Sequence, residues 1–250
     1  MTSIIRPSTS LCQQCRWHAF PTTHSLEYAV AQAIIKASQE AIQLRRCFNL
    51  VLAGGNTPRH VYELLKNIST DWHYWHIYFG DERCLPIHHP DRNSTMAESW
   101  LNHVNIPASQ IHIIPAELGA NVAALAYAQT LRKVDLFDLV ILGLGEDGHT
   151  ASLFPHHELG NTENSPATLP VHDAPKPPAE RVSLSARRLS QTRQLVFLVT
   201  GLTKQQAIMD WKYGKDIPAR AITPACGVDI FIEEALLNPD FPLALVARLI

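Results

Sequence analysis

The chain of 250 residues is long enough to bury a sizeable core as one large domain. Its hydrophobic content of 46%, charged content of 18% and formal net charge of −2 are typical of a soluble globular protein. This charge argues against a nucleic-acid partner or an anionic membrane surface, which would favour a basic protein, and no apolar run approaches the roughly 20 residues of a membrane span.

The N-terminal residues and the cysteines indicate the compartment. Residues 1–10 contain no apolar core followed by a small-residue cleavage site, so we predict no secretory signal. The five cysteines are an odd number scattered over a long chain, which suits reduced thiols better than a disulfide framework. We therefore expect a cytoplasmic protein, and leave open whether it is a monomer or a small homo-oligomer.

Histidines and cysteines raise the question of a metal site. Cys12 and Cys15 form a C-x-x-C pair with no second pair of ligands. The histidine doublets at 88–89 and 156–157 lack the i, i+4 spacing of ligands on a helix, and they lie in loops that contain proline. We predict surface histidines, no metal and no cofactor.

The hydrophobic pattern predicts strands and helices that alternate along the chain. Residues 1–15 are expected to form a poorly ordered extension, and 17–20 an edge strand. A helix capped by Ser25 follows. Further strands are predicted at 48–53, 75–79, 111–114, 139–142, 181–185, 194–200 and 228–232. Further helices are predicted from Pro58, over 94–103 and 119–133, and around Lys204.

This alternation is typical of a three-layer α/β/α domain, Rossmann-like in type, with a mainly parallel sheet. We expect residues 16–250 to form this single domain. The proline-containing segment 156–180 shows no periodicity and is predicted to be a long surface loop. In a compact domain such a loop is usually a functional lid or is locally disordered.

The strand predicted at 139–142 runs into the most informative turn of the chain. Glycines in this turn allow sharp changes of direction, and Glu146, Asp147 and His149 lie between and after them. A carboxylate beside an imidazole at the carboxyl end of a buried strand stands where open α/β sheets place their active sites. The turn therefore predicts an acid–base site.

The same turn matches the G-x-G-x-x-G spacing of dinucleotide-binding proteins through Gly143, Gly145 and Gly148. Glu146 and Asp147 would place negative charge inside a loop that must hold a pyrophosphate. In dinucleotide-binding proteins an acidic residue closes a second strand about 20 positions further on. The corresponding region of this chain is polar and proline-rich, so it does not predict such a strand. We therefore reject a nicotinamide cofactor.

The turn after the strand at 48–53 has the features of a phosphate site. Gly54 and Gly55 bring backbone N–H groups and a helix N-terminus to one point. Thr57 is a natural N-cap and Pro58 a natural first helical residue. Asn56 and Thr57 add side-chain donors. For the two glycines alone, a plain strand-to-helix turn is an equal alternative.

Two cations are placed near the same edge of the sheet. Arg83 ends a charged turn after the strand at 75–79, and this turn alone is compatible with a simple solvated loop. Lys204 lies in the first turn of a helix, where a cation is electrostatically unfavourable, so it hints at a bound anion. Together with His149 and Gly54, these residues predict one site at the carboxyl ends of the strands.

These motifs resemble the 6-phosphogluconolactonases in order and spacing from about residue 25 to 238. The matching segments are Ala53-Gly-Gly-Asn-Thr-Pro58, Phe79-Gly-Asp-Glu-Arg83 with Pro86 and 91–93, the stretch 143–155, Arg181-Val-Ser-Leu184, Thr200-Gly-Leu-Thr-Lys204, Ile217-Pro-Ala219 and 228–235. Arg92 stands where that family commonly has serine, and 156–180 follows no family pattern. Residues 1–15 are outside the resemblance.

The resemblance implies hydrolysis of 6-phospho-D-glucono-1,5-lactone to 6-phospho-D-gluconate in the oxidative pentose phosphate pathway. A lactone is an activated ester, so a deprotonated water attacks it without a serine nucleophile or a metal. Histidine, with an ordinary pKa of about 6.5, is a suitable general base, and we assign this role to His149 with Asp147 as its orienting partner.

Positive charge for the sugar phosphate is expected from Arg83 and Lys204; stabilisation of the oxyanion is the alternative role for one of them. Arg181 is a weaker candidate, for which a structural salt bridge is an equal alternative. We expect the two glycines, Asn56 and Thr57 to supply the neutral donors.

Two alternative functions are compatible with parts of the sequence. Glucosamine-6-phosphate isomerases/deaminases resemble the chain in fold and phosphate turn, but they carry a catalytic glutamate before the proline that corresponds to Pro155, where this chain has Phe154. A non-catalytic sugar-phosphate sensor has no need of a general base such as His149. We therefore predict the lactonase.

Overall fold

The structure, a computed structural model, describes residues 13–237. Most of the predicted extension, including Cys12, lies outside the described residues. Cys15, the last residue of the predicted extension, is instead the first residue of a strand. Gln13 precedes it and donates hydrogen bonds to the backbone oxygens of Ala219 (2.9 Å) and Ile222 (2.6 Å). None of the helices within this range combines the length and the apolar character needed to cross a membrane.

Strands and α-helices alternate along most of the described chain. The strands are β1 (Cys15–Phe20), β2 (Phe48–Leu52), β3 (Trp75–Phe79), β4 (Asp81–Arg83), β5 (Ile111–His112), β6 (Leu139–Gly143), β7 (Thr168–Val171), β8 (Arg181–Leu184), β9 (Leu195–Val199) and β10 (Val228–Glu233). The helices are α1 (Thr23–Arg45), α2 (Asn56–Leu64), α3 (Asn93–Leu101), α4 (Ala120–Leu131), α5 (Ala186–Ser190) and α6 (Gln205–Lys212). The exceptions to the alternation are where β3 leads into β4 and where β6, β7 and β8 follow one another.

Seven strands form one sheet in the order β1-β10-β9-β6-β2-β3-β5, and every pair of neighbours is parallel. The central strands β6 and β9 are apolar runs with no alternation, because both faces of a parallel sheet are covered. Fully burying each such aliphatic side chain stabilises the fold by roughly 1.5–3 kcal/mol. The predicted α/β fold with a mainly parallel sheet is confirmed.

The strand order fixes where a site can form. From β2 the chain proceeds to β3 on one side of β2, whereas from β6 the next strand of this sheet along the chain is β9, on the other side of β6. A crevice therefore opens outside the carboxyl ends of β2 and β6, at the point where the direction of winding changes. The turns that follow β9, β6, β2 and β3 all meet there.

A second sheet, which the sequence did not predict, completes the fold. β4, β8 and β7 pair antiparallel in the order β4-β8-β7. The segment 81–83 is therefore a strand and not only a charged turn, and the predicted loop 156–180 contains β7. Pro170 obscured β7 in the sequence, yet proline is compatible with an edge strand such as this one.

Two helix starts differ from the predictions. Thr22, and not Ser25, is the N-cap of α1; its side chain accepts from Ser25 N, and Ser25 reciprocates as a capping box. α2 begins at Asn56 after Gly55, whose φ of 109° only glycine adopts readily. Thr57 is consequently inside the helix rather than at its cap.

Candidate active site

A cleft of about 340 Å³ lies at the crevice between the carboxyl ends of the central strands. Its glycine, polar and charged lining residues include Gly54, Gly55, Gly80, Asp81, Arg83, Asn93, Gly143, Gly145, His149, Thr150, Lys176, Arg181 and Lys204. The structure thus brings together six of the predicted site residues, which come from segments far apart in the chain: Gly54, Gly55, Arg83, His149, Arg181 and Lys204. Asn56, Thr57 and Asp147 do not line the cleft directly.

The turn after β6 holds an imidazole against a carboxylate. Gly145 N donates to His149 O (2.7 Å) and closes the turn. The Nδ1 atom of His149 lies 2.5 Å from Asp147 Oδ1, which also accepts from His149 N at 3.1 Å. Because Nδ1 is engaged by Asp147, Nε2 is the ring nitrogen that can act on a molecule in the cleft.

The charge of Asp147 is stabilised by this contact. Partial burial alone would raise the pKa of Asp147, but the hydrogen bond and the positive charge of a protonated His149 outweigh it, and the pKa is lowered. Asp147 therefore stays ionised near neutral pH. A fixed anion beside Nδ1 orients the ring and stabilises an imidazolium when Nε2 takes up a proton.

Two contacts fix the plane of the imidazole. A Cβ atom placed on Gly145 would lie 2.0 Å from His149 Nδ1, so the ring occupies space that only glycine leaves open at that position. The Phe154 ring lies 4.8 Å from the imidazole, centroid to centroid. Phe154 is fully buried and therefore provides a rigid contact.

The turn after β2 brings a helix N-terminus to the cleft. Gly54 and Gly55 line the cleft, and the first backbone N–H groups of α2 follow directly. Asn56 is exposed. The Thr57 hydroxyl lies 2.8 Å from the Thr200 hydroxyl, so it joins this turn to the turn after β9. Of the four predicted donors, the glycines line the cleft, whereas Thr57 acts as a link between turns.

Arg83 and Lys204 are the two predicted cations with capacity for a ligand. Nη1 of Arg83 donates to Asp91 O, while its Nε atom is buried without a hydrogen-bond partner among the described residues. Burial lowers the pKa of Lys204, and no carboxylate within residues 13–237 forms a salt bridge with its ammonium group. A substrate anion would supply the missing partner in each case.

Arg181 is committed to the protein backbone. Its Nε donates to Pro178 O (3.1 Å), and Nη2 donates to Lys176 O (2.8 Å) and Pro177 O (3.2 Å). Burial lowers the pKa of Arg181. The predicted alternative, a salt bridge, is replaced by these carbonyl contacts, which fix the segment 176–178 at the rim of the cleft.

Four polar or charged lining residues were not predicted as site residues: Asp81, Asn93, Thr150 and Lys176. Asn93 Nδ2 donates to Asp81 Oδ1 (2.9 Å), and Ser152 Oγ donates to Asp81 Oδ2 (2.6 Å). The Thr150 hydroxyl is buried and has no hydrogen-bond partner in the described part of the chain. Asp81, Asn93 and Thr150 belong to motifs that carried the resemblance, which was the available signal.

Buried Glu82 places Asn93 at the cleft. Its Oε1 accepts from Asn93 N (2.7 Å) and its Oε2 from Ser94 N (2.8 Å), so the carboxylate caps α3. Arg92 lies 3.6 Å from the same carboxylate and also pairs with Glu117 at 2.9 Å. The family departure at Arg92 therefore falls on a buried residue that joins the start of α3 to the segment around Glu117.

The described residues offer no cluster of metal ligands. Within residues 13–237, no three His, Cys, Asp or Glu side chains are grouped so that they could hold a metal ion. The doublet residues His88 and His89 lie near single carboxylates, those of Glu98 and Asp91.

A family model described as glucosamine-6-phosphate isomerases/6-phosphogluconolactonase matches residues 21–231. The chain therefore belongs to this family. A protein from Synechocystis sp. named 6-phosphogluconolactonase is 36% identical over 179 residues, which cover 68% of this chain and 73% of that protein. The protein of the same name from Mycobacterium leprae is 32% identical over 207 residues, covering 76% and 82%.

A solved structure gives the same result at the level of the fold. The 6-phosphogluconolactonase from Thermotoga maritima superposes with a TM-score of 0.82 at 26% identity. The match covers 88% of this chain and 100% of that protein. The three relatives named above thus all carry the name of the lactonase.

Proposed function

We propose that the protein hydrolyses 6-phospho-D-glucono-1,5-lactone to 6-phospho-D-gluconate, with His149 as the general base. The observation that carries this proposal is the His149–Asp147 pair in a cleft lined by cations and a helix N-terminus. The pair supplies proton transfer, and the cations supply affinity for a phosphorylated substrate.

The reaction follows from this geometry. Nε2 of His149 takes a proton from water as the water oxygen attacks the lactone carbonyl carbon. The ring C–O bond then breaks, and the imidazolium returns the proton to the departing ring oxygen, which becomes the sugar hydroxyl. Asp147 stabilises the imidazolium between the two steps. Positioned proton transfer of this kind contributes typically 10²–10⁴-fold in rate.

The phosphate is assigned to the helix N-terminus and the cations. The glycine turn at Gly54 and Gly55 donates backbone N–H groups, and Lys204 and Arg83 provide positive charge. The Thr57–Thr200 contact keeps the glycine turn and the Lys204 turn together. Arg181 supports the site by holding its rim.

The hypothesis of an aminosugar-phosphate isomerase has less support than the lactonase. The residue before Pro155 is Phe154, a buried aromatic side chain that packs on the base, so this position offers no carboxylate. The sensor reading has less support as well, because a sensor has no use for an imidazole oriented by an ionised Asp147.

We also propose that residues 16–250 form a single cytoplasmic domain that acts as a monomer or a small homo-oligomer on a small-molecule substrate. One continuous core of buried residues within the described range supports the single domain. Relatives from Oryza sativa are named as chloroplastic, so cell fractionation is the test of the location.

The experiment that tests the function replaces His149 with alanine. We expect kcat for the phosphorylated lactone to fall at least about tenfold, with product affinity largely retained, because a general base acts mainly in the transition state. Spontaneous hydrolysis must be subtracted. The matched control is His73→Ala. The His73 side chain is 76% exposed, and it lies before the amino end of β3, whereas the cleft is at the carboxyl ends of the strands.

The outcomes separate the candidates. An unchanged kcat in the His149 variant would falsify the base assignment. A wild-type protein that binds 6-phosphogluconate without turning over the lactone would be a sensor, and turnover of glucosamine 6-phosphate would support the isomerase.

A further inference from the structure

The segment between β7 and β8 places an additional ammonium group in the wall of the cleft. Lys176 lines the cleft, and its Nζ atom lies 3.5 Å from Glu146 Oε2. Glu146 belongs to the same turn as His149. Both partners are about half exposed, with side-chain exposures of 57% and 50%. The pair therefore joins the proline-containing segment to the turn that carries the imidazole.

The backbone at Lys176 is fixed, whereas its side chain is free to change partner. Arg181 donates to the carbonyl oxygens of residues 176, 177 and 178, and Arg181 itself is only 6% exposed. The position of the segment therefore does not depend on the Lys176–Glu146 pair. An ion pair this exposed is weak and is readily exchanged for a stronger one.

Lys204 is electrostatically coupled to the same two residues. Burial lowers the pKa of Lys204, Glu146 opposes this effect, and Lys176 adds to it. Glu146 thus acts on both lysines at the rim of the cleft, and Asp147 acts in the same direction on Lys204 with a smaller effect. A phosphoryl group carries almost two negative charges near neutral pH and is a better counter-ion for two ammonium groups than one carboxylate.

We propose that Lys176 is a specificity-determining residue that binds the substrate phosphoryl group together with Lys204, and that Glu146 is the counter-ion which this group replaces. The proposal rests on the proposed lactonase function and deepens its phosphate site. Glu146 then acts against phosphate binding: it keeps Lys176 paired in the free enzyme, and this pair must be broken when substrate arrives.

The test compares two substrates, the phosphorylated lactone and plain glucono-1,5-lactone, after subtraction of spontaneous hydrolysis. The measured quantity is the ratio of their kcat/KM values. We expect Lys176→Met to lower this ratio about three- to tenfold, and Glu146→Gln to raise it about two- to fivefold, as befits exposed charges. Lys176→Arg should retain most of the wild-type ratio because it keeps the charge.

The double variant tests the exchange itself. In the Lys176→Met background, Glu146→Gln should lose most of its effect, because the pair it would break is already absent. Inorganic phosphate serves as a competitive inhibitor. Its inhibition constant should rise in Lys176→Met and fall in Glu146→Gln, and Glu146→Gln should have little effect on it in the Lys176→Met background. The matched control is the exposed pair of Lys36 and Glu40 on α1, whose equivalent substitutions should leave the ratio unchanged.

Three results would overturn the proposal. One is an unchanged ratio in Lys176→Met, and another is an equal loss on both substrates. The third is a full Glu146→Gln gain in the double variant, which would mean that Glu146 acts on Lys204 alone. A wild-type enzyme without preference for the phosphorylated lactone would instead refute the phosphate site of the proposed function.

Discussion

Gly145 offers a test of the imidazole position that leaves every polar group in place. A methyl group at this residue would lie 2.0 Å from Nδ1, 2.2 Å from Cε1 and 2.5 Å from Cγ of His149, whereas ordinary contacts begin near 3.4 Å. The His149 ring must therefore recede by more than about 1 Å. A misplacement of this size costs about 100-fold in rate, so we expect Gly145→Ala to lower kcat by about that factor.

The fold should tolerate the change. The φ angle of Gly145 lies outside the left-handed region that strains other residues, and Gly→Ala replacement at such a position commonly stabilises by roughly 0.4–1 kcal/mol. The assay therefore combines kcat with thermal unfolding. Gly143→Ala, at the end of β6 and also in the cleft wall, is the comparison that separates an added methyl group in the cleft from displacement of the imidazole, because a methyl group there meets no protein atom within 4 Å. A Gly145→Ala enzyme with wild-type kcat would refute the view that the imidazole acts from this position.

Two further predictions concern Lys204 and a histidine pair at the β3–β5 edge. Lys204→Met should lower kcat/KM for the phosphorylated lactone by one to two orders of magnitude, since a charge-assisted hydrogen bond contributes ~1.5–3 kcal/mol. The loss should be smaller for plain glucono-1,5-lactone. Equal losses on the two substrates would mean that Lys204 acts at the carbonyl or in the fold. Burial and His76 lower the pKa of His112 to about 4, so the unfolded chain takes up this proton first. The free energy of unfolding should therefore fall by roughly 1–3 kcal/mol as the pH drops from about 6.5 to 4, and His112→Gln should flatten that fall in chemical denaturation; an unchanged slope would contradict this.

The parallel sheet was predictable because a strand that is buried on both faces is visible in the sequence as a continuous apolar segment. Strands such as β6 and β9 are unbroken apolar runs, and the carboxyl ends of parallel strands share one edge. The meeting of His149, Arg83 and Lys204 follows from those two facts. Helix starts were less predictable, because Thr22 and Ser25 are both suitable caps and only the chain geometry decides between them.

Of the second sheet, the strand at 181–185 and the residues Arg83 and Arg181 were predicted, but β4, β7 and the pairing of the three strands were not predictable from local patterns. β4 is three residues long, and its partner β8 lies far along the chain. Lys176 has no periodic neighbours that reveal its place at the cleft, since Arg181 positions it through backbone carbonyls. Asn93 stands in the matching segment 91–93, but its role was not predictable because that role depends on the turn at Gly54 and on Asp81.

The contact between Gly54 and Asn93 restricts how this sequence can vary through evolution. A Cβ atom at Gly54 would lie 2.0 Å from Asn93 Oδ1, so any larger residue there requires a smaller one at 93. A smaller residue at 93 in turn removes the amide that donates to Asp81 in the cleft. A single substitution at any one of the three is therefore disfavoured, and a lineage that altered this corner of the cleft would have to change all three residues nearly together.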